Sequence, residues 1–259
     1  MKRGNNLSKE MMYWKFTWDM FHLQIFDYEE EVKTIHNWIK NRNCKVERVL
    51  DIGCGAGRHL IELNKLGYKC VGIDKDRAIL NYAHRLAKSE NASIKFIFGD
   101  VLKNPQSDLR NKFDLVIGMH LSFSIANLRK VINYTRKTLS LRGPNLLVFG
   151  FLISDTSLLE KVVTSIDTAI TENLFLIRLN KMELKEERNK YRWKEIYIIK
   201  SINGRVNIEK TNYRSLWFIS YDEFQEIVRD NNIVVDQKHE EPVGIKGFKG
   251  INVYGKFKA

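Results

Sequence analysis

Three aspartates close three consecutive apolar segments in the first half of the chain. Asp51, Asp74 and Asp100 each follow a short run of aliphatic or aromatic residues. Carboxylates accept hydrogen bonds from ribose hydroxyls and from exocyclic amino groups, and a buried carboxylate favours a cationic ligand. Asp74 is suited to the two hydroxyls of a ribose, Asp100 to the amino group of an adenine, and Asp51 to a cation. Their conjunction predicts a site for a ligand that carries a nucleoside.

A glycine-rich loop follows the first of these aspartates. Gly53, Gly55 and Gly57 allow the backbone to approach a ligand closely, and the loop leads into the positive end of a helix. A nicotinamide dinucleotide fingerprint begins in the same way. Its third glycine would fall on Arg58, however, and Asp51 would repel a pyrophosphate. The loop therefore favours a ligand with a positive charge near Asp51.

The segments that must position these residues alternate between strands and helices. Strands are predicted at 46–51, 68–74, 94–100, 113–118 and 145–152, and helices at 58–66, 77–89 and 126–139. Such alternation is typical of a parallel sheet with helices on both faces, and ligands bind such sheets at the carboxyl ends of the strands. The three aspartates are therefore expected to share one edge of the sheet.

The pattern changes in the second half of the chain. A helix is predicted at 157–171, followed by strands at 174–179, 193–202, 205–212 and 215–219. Asn203-Gly204 indicates a hairpin between two of them. A helix at 221–230 and strands at 233–237 and 252–257 close the chain. Before the first strand, residues 11–39 are predicted to be helical, with Asp27 as the cap of a second helix.

These motifs resemble those of the class I S-adenosylmethionine-dependent methyltransferases. The matching segments are Asp51-Ile52-Gly53-Cys54-Gly55-Ala56-Gly57, Gly72-Ile73-Asp74, Gly99-Asp100 and Phe113-Asp114-Leu115-Val116-Ile117. The resemblance implies an α/β fold with a Rossmann-like seven-stranded sheet whose final hairpin is reversed. It also implies S-adenosyl-L-methionine as cofactor and S-adenosyl-L-homocysteine as product. The cofactor-binding residues that follow are Asp51, Gly53, Cys54, Gly55, Arg58, Asp74, Lys75, Asp100, Val101 and Met119.

The resemblance extends to small-molecule members that have an N-terminal helical lid and an antiparallel β insertion before the last two strands. The expected division of the chain is a lid at 1–45, a cofactor-binding domain at 46–173 and 221–259, and a substrate-covering insertion at 174–220. Arg58 is a candidate partner for the cofactor carboxylate, or a solvated helix residue.

For the side of the site that would bind the methyl acceptor, the sequence provides candidate residues without a matching motif. His120 follows the fourth strand and is well placed for a general base, although it also suits a packing role. Tyr213 is the second catalytic candidate. The candidates for substrate contact are Tyr13, Trp14, Trp18, Tyr28, His120, Tyr213 and Arg214. The N-terminal aromatics would serve as a lid over the site or as a staple onto the core.

Composition sets broad limits on partners. The formal net charge is +12, and residues 178–214 hold eleven Lys/Arg against five Asp/Glu. A basic protein can favour an anionic partner, whereas the run from Lys181 to Lys194 within this stretch is either a solvated face or a binding patch. No apolar run approaches the roughly 20 residues of a membrane helix. Three cysteines without metal-site spacing are expected to be free thiols, so a cytoplasmic protein without metal or membrane is expected, as monomer or homodimer.

Three functions remain open from the sequence. The favoured one is methyl transfer to an N, O or C atom of a small molecule. An RNA or cap-like guanine methyltransferase is the second, motivated by the basic stretch. Residues 118–123 lack the Asn/Asp-Pro-Pro-aromatic motif, which argues against methylation of adenine N6 or cytosine N4. The third is a cofactor-binding subunit without transferase activity.

Overall fold

The computed structural model describes residues 21–23, 26–154, 159–170, 174–185, 189–210, 214–242 and 248–258. Four acceptor-side candidates of the sequence analysis, Tyr13, Trp14, Trp18 and Tyr213, lie outside these ranges. For Arg214 the backbone is described and the side chain is not. Their assigned roles therefore stay predictions.

The described part of the chain contains five α-helices and twelve strands, and a short 3-10 helix at Ser107–Leu109. The helices are α1 (Tyr28–Lys40), α2 (Arg58–Lys65), α3 (Arg77–Ser89), α4 (Ile125–Thr138) and α5 (Tyr221–Asp230). The strands are β1 (Arg48–Ile52), β2 (Lys69–Asp74), β3 (Ile94–Phe98), β4 (Leu115–Leu121), β5 (Leu146–Ser154), β6 (Val162–Ile170), β7 (Leu174–Lys185), β8 (Lys190–Ser201), β9 (Val206–Lys210), β10 (Arg214–Trp217), β11 (Ile233–Pro242) and β12 (Phe248–Phe257). No helix in these ranges is long and apolar enough to cross a membrane.

The larger sheet has seven strands in the order β11-β12-β5-β4-β1-β2-β3. The five strands from β5 to β3 are parallel, whereas β12 runs antiparallel to β5 and β11 antiparallel to β12. This arrangement confirms the predicted α/β fold with a reversed final hairpin. The direction changes at β12 because a hairpin, rather than a helical crossover, joins the last two strands.

Helices cover both faces of this sheet. On one face, α1, α2 and α3 contribute Val32, Ile35, Leu60, Leu63 and Leu80 to a buried apolar cluster. On the other face, α4 and α5 pack onto the sheet through a second buried cluster. The central strand β4 is buried along most of its length, as expected for a parallel sheet covered on two sides.

Helix α1 begins where the sequence predicts its cap. The Oδ1 atom of Asp27 accepts a hydrogen bond from the backbone N–H of Glu30 at 3.0 Å. Three glutamates in the first turn lie at the positive end of the helix dipole. Because Val32, Ile35 and Ile39 recur on one face, α1 packs against the sheet, and its orientation then fixes the buried Glu31.

The second sheet corrects the sequence analysis at one element. Residues 157–171 were predicted to be helical, but β6 spans Val162–Ile170 and pairs antiparallel with β7. The helix prediction is therefore wrong for the described residues 159–170. The apolar residues there fit a helical spacing as well as a strand, and pairing with β7 decides between the two. The Asn203-Gly204 hairpin joins β8 to β9 as predicted, with Gly204 at a φ of +80°.

The second sheet has the order β10-β8-β7-β6, and β9 also pairs with β8. It therefore includes β6, which the predicted division of the chain places in the cofactor-binding domain. A bridge between Ile153 and Ile219, and a hydrogen bond of 2.8 Å from the Trp217 N–H to Ser122 Oγ, join this sheet's last strand to the end of the larger sheet. The division into domains stays a prediction.

The cap of α5 supplies a stability prediction. The Ser220 side chain accepts from the N–H of Glu223, and the Glu223 side chain accepts from the N–H of Ser220. Ser220→Ala is expected to lower the free energy of unfolding by about 1 kcal/mol, because it removes half of this capping box. Chemical denaturation measures the loss. Ser124→Ala is the matched control, since Ser124 caps α4 without a side-chain hydrogen bond. Equal losses would contradict the prediction.

Candidate functional site

The carboxyl ends of β1, β2 and β3 lie side by side. Their parallel register pairs Ile52 with Ile73, and Ile73 with Ile97. The strands therefore end at one edge, and Asp51, Asp74 and Asp100 line two cavities there. The sequence prediction that the three carboxylates share an edge is confirmed by this register.

Asp51 is buried at the end of β1, with 2% of its surface exposed. Burial, and secondarily the charge of Asp74, raises the pKa of Asp51 well above its usual range. Within the described ranges no cationic side chain forms an ion pair with it. A buried carboxylate that lines a cavity and lacks a cation is stabilised by a positively charged ligand. This environment fits an ammonium or sulfonium group.

Asp74 is held in place by two backbone hydrogen bonds. Its Oδ2 atom accepts from the N–H of Gly55 and its Oδ1 atom from the N–H of Asp76, each at 2.9 Å. Burial raises the pKa of Asp74, and these two hydrogen bonds act against the rise. Each carboxylate oxygen has a further lone pair, so the oriented group can also accept two ribose hydroxyls.

The cavity beside Asp74 brings together residues that the sequence predicts for the nucleoside part of the cofactor. Asp100 and Val101, the predicted adenine contacts, line it together with Lys75 and Gly99. The Oδ1 atom of Asp100 accepts from the N–H of Leu102 at 3.0 Å, which fixes the carboxylate at the turn after β3. The structure adds Leu102 and Phe123 to the lining. These apolar side chains are suited to the faces of a planar base.

The second cavity adjoins the first, because Gly53 lines both. Six more residues predicted from the sequence line this second cavity: Tyr28, Asp51, Cys54, Arg58, Met119 and His120. Tyr28 is among the predicted substrate contacts. The Arg58 guanidinium lies 5.9 Å from the centre of the Tyr28 ring. Gly55 contributes to the site through its backbone N–H, which donates a hydrogen bond to Asp74.

The glycine loop adopts backbone angles that favour glycine. Gly53 and Gly57 have φ angles of +73° and +76°, in the left-handed region. A Cβ atom at Gly57 would lie 2.7 Å from the Phe96 ring, so a larger residue cannot be accommodated without a shift of that ring. Because the loop lies this close to β3, it holds the N-terminus of α2 against the sheet edge.

A buried cluster of one carboxylate and two imidazoles borders the second cavity. The Nε2 atom of His59 lies 2.7 Å from Glu31 Oε2, and the Nε2 atom of His120 lies 3.1 Å from Glu31 Oε1. Glu31 comes from α1, His59 from the first turn of α2 and His120 from β4. Three separate elements thus converge on one carboxylate.

The protonation of this cluster follows from its geometry. Burial acts to raise the pKa of Glu31, but hydrogen bonds with His120 and His59 outweigh burial and hold it at about 2. Burial lowers the pKa of His59. An ionised carboxylate only accepts hydrogen bonds, so both Nε2 atoms carry a proton. In the neutral imidazole of His120, Nδ1 is then the basic nitrogen.

His120 is placed at the cavity by a bulge. The register between β4 and β5 shifts between Gly118 and Leu121, and His120 has a φ of +54°. This left-handed conformation is costly for a residue with a Cβ atom, and bulges of this kind redirect side chains beside ligand sites. The Phe26 ring lies over the imidazole at 3.8 Å between centroids. The cluster and this ring together fix the orientation of His120.

Neither Glu31 nor His59 was predicted from the sequence as a site residue. A signal for Glu31 exists, since it lies on the apolar stripe of α1 beside Tyr28, Val32 and Ile35, where an acid is unusual. His59 lies two residues after Gly57, the last glycine of the motif, but has no distinguishing spacing. The three ligand atoms of the cluster lie within 4.8 Å of one another, so it could also hold a divalent metal ion.

The chain matches a known family over most of its length. The model of a family described as "Methyltransferase domain" matches residues 44–232. The parallel sheet with its reversed hairpin and the carboxylates at the edge define the class of Rossmann-like methyltransferase domains. The chain belongs to this methyltransferase family.

Individual relatives agree with this assignment. The chain is 28% identical over 126 residues to the uncharacterized methyltransferase YcgJ of Bacillus subtilis, covering 48% of this chain and 49% of that one. It is 31% identical over 98 residues to the ubiquinone biosynthesis O-methyltransferase of Bartonella tribocorum, covering 37% and 38%. The chain thus spans about half or less of the curated relatives it matches.

A solved structure extends the similarity to nearly the whole chain. An S-adenosylmethionine-dependent methyltransferase from Clostridium acetobutylicum superposes with a TM-score of 0.73 at 13% identity, covering 96% of this chain and 100% of the other. At this identity the similarity concerns the fold. Since the superposition covers 96% of this chain, the aligned region includes both sheets.

Proposed function

We propose that this protein transfers the methyl group of S-adenosylmethionine to a nitrogen, oxygen or carbon atom of a small molecule. The observation that carries the proposal is the buried Asp51, without a described cation, at the junction of two cavities that also contain Asp74 and Asp100. This order of groups matches a molecule with a cationic end, a ribose and a base. Membership of the methyltransferase family supports it.

Each end of the cofactor has candidate partners in this proposal. Asp51 and the glycine loop hold the methionine part, with Cys54, Arg58 and Met119 around it. The backbone-oriented Asp74 holds the ribose, and Lys75 flanks it. Asp100 and Val101 hold the adenine, with Phe123 as an additional apolar wall. Arg58 is the proposed partner of the cofactor carboxylate.

The reaction is an in-line displacement. The bound cofactor supplies an activated methyl group: the acceptor-to-carbon bond forms as the sulfur-to-carbon bond breaks. The protein then has to align the acceptor and to take up its proton where the acceptor carries one. Nδ1 of His120 is the proposed base, and Glu31 holds the imidazole through Nε2 in the tautomer that leaves Nδ1 unprotonated. Tyr213 stays a second catalytic candidate.

A small-molecule acceptor is favoured by the cavity that Tyr28 and His120 line and by relatives such as the ubiquinone biosynthesis enzyme. In the proposed division of the chain, residues 1–45 and 174–220 cover this acceptor side. Tyr13, Trp14, Trp18 and Arg214 remain proposed contacts. Free Cys44, Cys54 and Cys70 agree with the proposed cytoplasmic location.

Mass spectrometry of a metabolite extract tests the proposal. The purified protein is incubated with the extract and methyl-labelled S-adenosylmethionine, and a product heavier by the labelled methyl group is expected. The same reaction without protein is the control. Binding of the cofactor without turnover of any acceptor in extract or RNA would instead support a non-catalytic subunit.

An RNA or cap-like guanine methyltransferase is the second candidate, since the basic stretch at 178–214 suits a phosphate backbone. Electrophoretic shifts at low salt distinguish the two. We expect no RNA affinity. A shift that weakens steeply with salt, together with labelled RNA, would favour the second candidate.

A further inference from the structure

The outer face of the second sheet is apolar at its centre. Side chains alternate along the strands, so that Leu176, Arg178 and Asn180 of β7 are buried on the inner face and Phe175, Ile177 and Leu179 point to the outer one. The strand register then defines three cross-strand rows on the outer face. These rows are Ile166–Leu179–Ile196, Thr168–Ile177–Ile198–Ile208 and Ile170–Phe175–Lys200–Val206.

Within the part of the chain that the structure describes, the side chains on β6 and β9 in these rows are exposed, and the central ones on β7 and β8 are mostly partly buried. Ile166 is 71% exposed, Ile170 74%, Ile208 61% and Val206 53%. Exposed isoleucines scattered singly are ordinary, but nine aliphatic or aromatic side chains on one flat face are not. The next row consists of Thr164, Lys181 and Lys194, so the apolar centre has a polar and mainly basic margin.

The dimensions of this face match what a dimer requires. Four strands about 4.8 Å apart and nine residues with about 3.3 Å rise each give roughly 600 Å² in projection, about half of it apolar. A standard protein interface buries about 800 Å² per partner, with an apolar core and a polar rim. Protruding side chains add to the projected area, so one face of this sheet is of the right size.

We propose that this face binds the same face of a second copy of the chain, which makes the protein a homodimer. Flat sheet faces rich in β-branched residues are buried by packing onto another sheet, as in β-sandwiches. A two-fold axis brings an identical apolar face into register, and no other partner is needed. Lys181, Lys194 and Lys200 stay in water at the margin, where their aliphatic stems cover apolar surface.

The occupant that competes with a second copy is a membrane with anionic lipids, because the margin of the face is basic. Dimerisation buries the apolar centre without a lipid, and it does not depend on the transferase activity proposed above. The two occupants are therefore separable by experiment.

Light scattering coupled to size-exclusion chromatography tests the proposal on the full chain. The wild-type protein is expected to be a dimer at micromolar concentration. The double substitution Ile166→Glu and Ile208→Glu places two charges in the interface and is expected to weaken dimerisation by at least about 100-fold. Both side chains are exposed, so the fold should be preserved, which circular dichroism checks.

Leu141→Glu is the matched control, because Leu141 is 83% exposed and lies in the loop after α4, away from this sheet. It should leave the dimer intact. A wild-type monomer at all concentrations, or a dimer that survives the double substitution, would overturn the proposal. The proposal would also be overturned by a monomeric protein that binds phosphatidylglycerol vesicles and loses this binding in the double variant. The apolar face would then be a lipid-binding surface.

Discussion

Replacing Asp74 by alanine is expected to weaken binding of S-adenosylhomocysteine by about 100-fold or more. A hydrogen bond to a charged acceptor contributes about 1.5–3 kcal/mol, and the carboxylate is positioned to accept two ribose hydroxyls. Each 1.4 kcal/mol corresponds to about tenfold in affinity. Isothermal titration calorimetry measures the loss, and Asp100→Ala is expected to weaken the same complex through the adenine end.

Two controls separate ligand contact from loop disruption in this experiment. Asp74 also accepts from the N–H groups of Gly55 and Asp76, so its loss disturbs the turn. The Asp76 side chain caps α3 by accepting a hydrogen bond from the N–H of Ala78. Asp76→Ala removes this cap and should leave the affinity for S-adenosylhomocysteine within a few fold of the wild type. Asp74→Asn keeps one acceptor oxygen and should fall between alanine and wild type. Unchanged affinity in both Asp74→Ala and Asp100→Ala would refute the cofactor assignment.

Replacing His120 by glutamine is expected to lower kcat by about 100-fold for an acceptor that must lose a proton, because general bases contribute on this scale. Glu31→Gln should also lower kcat, since glutamine does not select the tautomer of His120 as an ionised carboxylate does. Affinity for S-adenosylhomocysteine should change little in either variant.

A distant histidine is the matched control for this prediction. His84 is exposed on α3 and contacts Phe96, so His84→Gln should keep full activity. Dialysis against a chelator is expected to leave kcat unchanged. Loss of activity on chelation, restored by a divalent cation, would show that Glu31, His59 and His120 ligate a metal instead. A wild-type kcat in His120→Gln would exclude His120 as the base.

The cofactor side of the site was predictable from the sequence because it depends on local chemistry. A parallel strand followed by a helix always presents its carboxyl end at the same edge, so Asp51, Asp74 and Asp100 could be brought together from chain order alone. The glycines of the loop carry their own conformational signal. The helices α3 and α5 were predicted at 77–89 and 221–230, the bounds that the structure has.

Elements that depend on distant pairing were not predictable in the same way. Residues 162–170 fit a helix by spacing, and only the twelve-residue strand β7 beside them makes them a strand. The predicted ends of β4 and β7 were too short, at 118 and 179 instead of 121 and 185. Strand lengths follow from the partner that supplies hydrogen bonds, and the partner is remote in sequence.

The sequence by itself determined the family, the alternation of strands and helices in the larger sheet and the three carboxylates at its edge. Only the tertiary structure decided that Glu31, 28 residues before His59 and 89 before His120, joins these two imidazoles at the second cavity. Only the register of four strands assembled the apolar outer face of the second sheet. Both features need the packing of separate elements, because the hydrogen bonds and contacts that define them join residues that are far apart in the sequence. No local sequence pattern specifies such contacts.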